Sequence, residues 1–299
     1  MAVLRIERAG PLVSIQDPGR FGMLSHGVSA SGPMDRRSFA RAGQWAGAID
    51  GTGIEFTMAG LALTLVEGEV FAAWDGGEFS VSLNAGRLDW PGYTRLVAGD
   101  RLEISVGPGG NYGYLRFGGK LNLVPVLGSV ATSTRARVGG LSGRTLAAGD
   151  VLEIVGVGAA PRSPQMETRE KGAIRFLWGL HAELFSAEVR QAFVAARFRT
   201  SAAMDRMGVR LGDESGVFSA ARVLSLVSDP VVAGDIQILG DGTPIVLMRD
   251  HQPTGGYPRI GTVITADLDR FAQIRPNREI SFAPVSLDHA HRILRSQTP

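Results

Sequence analysis

Cysteine is absent from all 299 residues, and lysine occurs only at Lys120 and Lys171. Without cysteine there is no disulfide framework, no thiolate metal site and no cysteine nucleophile. The same absence favours a reducing compartment, so a soluble, cytoplasmic chain is expected. No apolar run approaches the ~20 residues that a membrane helix needs. Arg5, Glu7 and Arg8 interrupt the first ten residues, which therefore do not read as a secretory leader. Basic residues are nearly all arginine, are mixed with acids and leave a net charge of only +2. That pattern gives no nucleic-acid footprint. Arginine does suit two-pronged contact with carboxylate or phosphate.

Several chemical signatures are missing too. There is no G-x-x-x-x-G-K-[ST] phosphate loop and no G-x-S-x-G nucleophile elbow. No Asp, Glu or His spacing suggests a metal. His289-Ala-His291 would point its two rings apart on a helix, and His181 and His251 read as structural or exposed.

Glycine, in contrast, is plentiful at 40 residues, and short apolar segments alternate with Gly, Asn and Asp. This is how a many-stranded β protein is written. Predicted strands are Leu61–Val66, Glu78–Leu83, Arg101–Val106, Tyr114–Phe117, Val151–Val155, Ala173–Leu177, Ile236–Leu239, Ile245–Arg249 and Glu279–Phe282. Most have four to six residues, which favours barrels or sandwiches over a doubly wound sheet. Gly107-Pro-Gly-Gly110 reads as a hairpin turn. Gly99-Asp-Arg-Leu-Glu-Ile104 and Gly149-Asp-Val-Leu-Glu-Ile154 share one pattern, a Gly-Asp turn feeding a half-buried strand.

Helices are few. Pro33 sits in the first turn of one predicted over Met34–Ala48. Ser186 caps Ala187–Phe198. Thr265 caps a short helix that Pro276 ends, and Ser286 caps the last one. A single core stops growing near ~250–300 residues, so two lobes are expected. The Pro- and charge-rich stretch Gly158–Lys171 is the natural linker between lobes over residues 1–158 and 172–299.

Four segments carry more Gly, Pro and polar residues than plain strands need. They are Gln16-Asp-Pro-Gly-Arg-Phe-Gly22 with Ser31-Gly-Pro-Met-Asp35; Phe117-Gly-Gly-Lys120 leading to Pro125-Val-Leu-Gly-Ser129; Met204-Asp-Arg-Met-Gly-Val-Arg-Leu211; and Asp250-His-Gln-Pro-Thr-Gly-Gly-Tyr-Pro258. Tight turns alone would explain many of these residues. Arg20 with Asp17, and Asp205 with Arg206 or Arg210, read equally as local ion pairs. Asp35 reads as a helix N-terminal acid. Asp250 and Gln252 are the strongest functional candidates, because they precede Gly255-Gly256 after a buried strand.

In order and context these segments resemble the family of the 5-oxoprolinase C subunit, also called the allophanate hydrolase subunit 2 family. Gly143–Asp150, Gly234–Gln237 and Asp241–Ile245 extend the likeness, which covers the chain from about Gly10 to Val285. Met204, Pro253, Lys120-Leu121, the Trp178–His181 segment and Trp74-Asp-Gly-Gly77 depart from the family pattern. The resemblance implies a mainly β chain with a few helices, built as two cyclophilin-like β-barrel lobes. It implies a subunit of an ATP-dependent 5-oxoprolinase, active in complex with an allophanate hydrolase subunit 1-like (KipI-like) companion and a LamB/YcsF-like subunit. Urea carboxylase offers an alternative, in which the same unit is a biotin-dependent carboxyltransferase and biotin arrives on another chain. A third alternative is a regulatory module that sequesters its partner.

A lactam and a ureido ring are both planar cyclic amides. Each needs its oxygen stabilised as charge develops and its N–H held by an acceptor. The resemblance therefore implies Asp250, Gln252, Asp205, Arg206, Asp17 and Asp35 as candidate catalytic or N–H-holding groups. Arg20 and Arg210, with Arg206, are candidates for an anionic group. Gln237 and Gln252 are candidate donors to a carbonyl. The amides of Gly118, Gly119, Gly255 and Gly256 are candidates for an oxyanion nest. Tyr257 is a candidate stacking ring, and Ser129 and Thr254 complete the set of substrate- or nucleotide-binding candidates.

Overall fold

The computed structural model describes residues 1–156, 158, 170–219 and 226–297. It divides into two compact units, Met1–Gly22 with Ala30–Glu167, and Met23–Ser29 with Thr168–Pro299. Of the expected linker, only residues 158, 170 and 171 are described. The fold is mostly β, and its two large sheets comprise a half-barrel and a nearly closed barrel.

The first unit strings together β1 (Ala2–Ala9), β2 (Ser14–Gln16), α1 (Arg36–Ala46), β3 (Gly53–Thr57), β4 (Leu61–Glu67) and β5 (Glu69–Leu83). It continues through β6 (Gly86–Leu88), β7 (Gly92–Val97), β8 (Arg101–Phe117), β9 (Lys120–Leu121) and β10 (Val151–Val155). Period-two alternation sets which face is buried. Ala2, Leu4 and Ile6 of β1 are buried beside Leu152 and Ile154 of β10, and the register pairs Leu4 with Leu152 and Ala2 with Ile154. The repeated Gly-Asp pattern is one turn used twice. Asp100 accepts from the Val97 N–H at 2.9 Å, and Asp150 accepts from the Ala147 N–H at 2.8 Å. Gly99 and Gly149 both take the left-handed φ that the turn requires, at 97° and 91°.

The expected strand lengths fail for β5 and β8, which run 15 and 17 residues. Gly107-Pro-Gly-Gly110 is not a hairpin turn but part of β8. β5 and β8 pair from Ala72 opposite Phe117 to Leu83 opposite Leu102, with register shifts between Gly76 and Ser80. A Cβ on Gly107 would stand 2.2 Å from the Glu78 carbonyl oxygen. The glycines thus serve a bulge and a close strand approach rather than a chain reversal.

α1 starts at Arg36, two residues later than expected, because Asp35 caps it. The Asp35 Oδ1 accepts from the Ser38 N–H at 3.0 Å.

The second unit comprises β11 (Ile174–Trp178), α2 (Ala187–Ala195), β12 (Phe198–Met204), β13 (Gly208–Gly212), β14 (Asp229–Pro230) and β15 (Asp235–Ile238). Then come β16 (Pro244–Leu247), β17 (Thr254–Gly255), β18 (Arg259–Val263), α3 (Thr265–Ala272), β19 (Glu279–Ile280), β20 (Phe282–Pro284) and α4 (Leu287–Gln297). Its main sheet has the order β19-β12-β13-β16-β15-β18-β11-β20, antiparallel except for the β11–β20 pair. Phe176, Phe193, Phe198, Phe218 and Phe282 form its aromatic core, with Phe193 stacked on Phe282 at 5.1 Å.

Ser186 caps α2 as expected, accepting from the Val189 N–H, and the His289 N–H donates to Ser286 Oγ at 3.2 Å. Thr265 does not cap α3. It is already helical, Ile264 holds the cap position without a side-chain bond, and the helix ends before Gln273 rather than at Pro276. Among the described residues no helix is long and apolar enough to cross a membrane. None of the described residues form a cluster of three or more His, Asp or Glu placed to hold a metal.

Candidate functional site

A cavity of about 460 Å³ in the second unit gathers Asp205, Arg210, Gln237, Gln252 and Tyr257. Five parts of the chain supply them: the turn before β13, β13 itself, β15, the loop that follows β16, and the segment between β17 and β18. Leu239, Ile245 and Leu247 give it an apolar wall. Gln237 is almost fully buried on β15, opposite Ile245 of β16. Its Oε1 lies 3.5 Å from the Gln252 Nε2, and its buried Nε2 has no hydrogen-bond partner among the described residues. A buried amide N–H without a partner is costly and therefore marks a place where a ligand oxygen would fit. Gly255 makes room for it, since a Cβ there would stand 2.4 Å from Gln237 Nε2. At the rim, Arg210 is exposed, and its charge helps hold the exposed Asp241 carboxyl below its usual range. Tyr257 is part-exposed, with its ring available to a planar group.

Asp205 is exposed and lines the cavity, but its Oδ1 accepts from the Met207 N–H at 2.7 Å and the Gly208 N–H at 3.1 Å. It shapes the turn into β13. Arg206 does not pair with Asp205 but with Asp250, through Nε–Oδ2 at 2.9 Å and Nη2–Oδ1 at 3.2 Å. The Asp250 N–H also donates to the Arg206 carbonyl at 2.7 Å. Both side chains are buried, and neither lines the cavity. This geometry gives Asp250 and Arg206 a positioning role, fixing the loop that carries Gln252. Thr254 and Gly255 pair with Asp229 and Pro230, and the Gly256 carbonyl accepts from the Leu226 N–H, so this glycine pair is held in a small ladder.

In the first unit, the other sequence candidates form a brace. Arg20 is buried and donates to the carbonyls of Val126, Ser129 and Ala131 at 2.8–3.1 Å. Asp17 accepts from the Gly19 N–H, the Ser129 hydroxyl and the Val130 N–H at 2.6–2.9 Å. Arg20, Asp17 and Ser129 therefore tie the Asp17–Gly22 segment to the 126–131 loop. These contacts give both Arg20 and Asp17 a part in holding this loop. The Gly118 N–H donates to the Phe71 carbonyl at 2.8 Å, which removes it as an oxyanion donor. A Cβ on Gly119 would press into Ile154 at 2.7 Å, so this glycine serves packing against β10.

Asp35 likewise has a structural place, with a consequence the sequence did not reveal. Its Oδ2 accepts from the Ser38 hydroxyl at 2.8 Å, that hydroxyl accepts from Arg41 Nη2 at 2.9 Å, and Arg41 Nε donates to Asp75 Oδ2 at 2.7 Å. Asp75 is buried on β5 opposite Tyr114, whose hydroxyl accepts from the Asp35 N–H at 2.6 Å. Burial pushes the Asp75 carboxyl up to about 6 and outweighs the opposing pull of Arg41. The only sequence signal for Asp75 is its departure from the family pattern in Trp74-Asp-Gly-Gly77. Arg41 and Tyr114 gave none.

The comparisons agree with this architecture. Residues 26–284 match the family model for the carboxyltransferase domain, subdomain A and B. The 5-oxoprolinase C subunit of Escherichia coli (strain K12) is 31% identical over 306 residues, covering 99% of this chain and 95% of that protein. The 5-oxoprolinase C subunit of Haemophilus influenzae is 32% identical over 295 residues, covering 94% of this chain and 91% of that one. The crystal structure of the Kluyveromyces lactis urea amidolyase superposes with a TM-score of 0.88 at 27% identity, over 99% of this chain but only 19% of that one. A chain of this kind is thus a carboxyltransferase-type β unit. It belongs to the carboxyltransferase-domain family (subdomain A and B), the one whose members include the C subunits of 5-oxoprolinase.

Proposed function

We propose that this chain is a subunit of an ATP-dependent 5-oxoprolinase that opens 5-oxo-L-proline to L-glutamate. It works in the cytoplasm with an allophanate hydrolase subunit 1-like companion and a LamB/YcsF-like subunit. The observation that carries the reading is the convergence of Gln237, Gln252, Arg210 and Tyr257 on one cavity of the second unit. The near-full-length likeness to two 5-oxoprolinase C subunits supports it.

The chemistry fits the residues. In the reaction the lactam C–N bond breaks, one water ends in the new carboxylate, and a second ends in phosphate released from ATP. ATP, bound at the level of the complex, supplies the driving force by phosphoryl transfer to the amide oxygen. This chain's residues hold the ring. The Gln237 Nε2 donates to the lactam oxygen, an amide oxygen of the Gln pair accepts the lactam N–H, and Arg210 meets the substrate carboxylate. Tyr257 covers a face of the flat ring. Asp250 and Arg206 keep Gln252 in place.

The fit to the urea amidolyase structure favours a second reading, biotin-dependent carboxyl transfer to urea or a related amide. The ureido ring of biotin, delivered on another chain, would meet the same Gln pair. Co-expression with both partners, followed by measurement of ATP-dependent glutamate release from 5-oxoproline, separates the two. Turnover without biotin that falls on Gln237→Leu supports the first reading. A well-formed complex that releases no glutamate overturns it.

A further inference from the structure

A second cavity, of about 450 Å³, lies wholly within the first unit, between α1 and the Pro18–Phe21 loop. Arg116 is at its inner end. This residue is on β8, where the neighbouring Leu115 and Phe117 face the core, and its own side chain is only 4% exposed. The surroundings are shaped around its guanidinium. A Cβ on Gly43 would stand 2.8 Å from Nη1, and one on Gly53 would stand 2.2 Å from Cδ. The Phe39 ring lies 4.2 Å beneath Cζ.

What Arg116 lacks is a carboxylate in direct contact: Asp50, which lines the same cavity, attracts it without an ion-pair contact. Arg116 donates to the Phe39 carbonyl at 3.1 Å and to the Asp50 carbonyl, both neutral acceptors, and its buried Nε has no partner. None of the described residues places a carboxylate within ion-pairing distance of it. The Asp50 carboxylate accepts instead from the Thr52 N–H and hydroxyl, both at 2.8 Å. A buried cation held only by carbonyls is unfavourable, and burial lowers the Arg116 guanidinium to about 10. Further N–H donors of the fork remain after those two bonds.

The rest of the cavity is mainly apolar. Pro18, Phe21, Pro33 and Ala40 line it, Asp50 is its one acidic residue, and Arg36 stands at its mouth with its guanidinium 5.6 Å from the Phe21 ring. Phe21 itself is 61% exposed, a large ring held in solvent beside the opening. Two guanidiniums against one carboxylate, Asp50, in an apolar, ring-lined recess leave one positive charge and fit one chemical class, a small monocarboxylic acid with a flat apolar body. The carboxylate supplies the missing direct ion pair, and the body lies against Phe21 and the prolines.

We propose that this cavity is a binding site for a small aromatic or similarly flat monocarboxylate, with Arg116 as its anion anchor. The site is independent of the 5-oxoproline reading and uses none of the second unit's residues.

Benzoate is the probe, with benzamide as the neutral isostere, titrated by calorimetry into the full chain. Benzoate binds one per chain and raises the unfolding temperature, while benzamide binds at least about tenfold more weakly, as loss of a charged hydrogen-bond pair requires. Arg116→Gln, checked for native circular dichroism, loses benzoate binding by about tenfold or more. If that variant fails to fold, Arg36→Gln at the mouth tests the same site and weakens benzoate severalfold without loss of fold. Absence of benzoate binding, equal binding of benzamide, or full binding by folded variants at both arginines overturns the proposal.

Discussion

Arg206 and Asp250 meet in a two-bond ion pair, 2.9 and 3.2 Å long, with both side chains buried. The pair ties the turn before β13 to the loop that carries Gln252. Removing Asp250 takes from the buried Arg206 guanidinium its two-bond carboxylate partner, so Asp250→Ala should cost ~3–5 kcal/mol of stability. Replacing both at once, as Arg206→Met with Asp250→Leu, should recover much of that loss. Urea unfolding of the two variants beside the wild type checks it. Undiminished stability in Asp250→Ala, together with lost turnover, would return Asp250 to a direct chemical role.

The cavity residues should behave differently from this brace. Arg210 is exposed and has only a long-range attraction to the exposed Asp241, so Arg210→Gln should leave the unfolding midpoint nearly unchanged. It should raise KM for 5-oxoproline in the reconstituted complex by about tenfold or more, with kcat little altered. Gln237→Leu removes a donor aimed at developing charge and should lower kcat/KM by ~10–100-fold. Steady-state kinetics on the complex separates the two signatures, and equal effects of both variants on kcat alone would contradict the assigned roles.

The β character and the strands β4, β10, β11, β15 and β16 were legible in the sequence because each has a local signal, whereas β1, β3, β7, β12, β13 and β18 were not read as strands. Alternating Leu152 and Ile154 write the strand Val151–Val155, and Gln252 and Tyr257 sit in a segment too rich in Gly and Pro for a plain ladder. Roles that depend on long-range partners were not legible. Asp17 and Ser129 are 112 positions apart, and only the fold shows that one holds the other. Asp250 and Arg206 stand in motifs that look catalytic and turn out to pair with each other across 44 positions. Arg116 gave no signal, since a single arginine in an apolar strand reads as a solvent-facing position until α1 is seen to cover it.

The Gly107 bulge is the place where local reading misled, and it offers a direct test. A Cβ at Gly107 would lie 2.2 Å from the Glu78 carbonyl oxygen, and backbone cannot retreat as a flexible side chain would. Gly107→Ala should therefore destabilise the chain by about 1–3 kcal/mol, through forced separation of β5 and β8. Gly99→Ala is the control. Its φ is 97° but nothing lies within 4 Å of a new Cβ, so only backbone strain of about 1 kcal/mol is expected. Thermal unfolding of both variants orders them. A milder effect at Gly107 than at Gly99 would restore the hairpin-turn reading.

Asp75 predicts a pH dependence whose sign is opposite to that of most paired carboxylates. Its folded carboxyl is raised from 3.8 to about 6, mainly by burial, despite the 2.7 Å contact with Arg41 and with some repulsion from Asp35. Between these values the folded chain holds a proton that the unfolded chain has released. Stability from this group is therefore full below about pH 4 and is lost as pH rises toward and through about 6. The span corresponds to at most ~3 kcal/mol. Asp75→Asn keeps an acceptor for Arg41 and removes the titration. The stability difference between wild type and this variant, measured by urea unfolding from pH 4 to pH 7, should therefore shift steadily against the wild type and level off above about pH 6.5. A difference that does not change with pH would mean that Arg41 holds Asp75 ionised throughout, and the Asp35–Ser38–Arg41–Asp75 chain would then be a fixed ion pair rather than a titrating one.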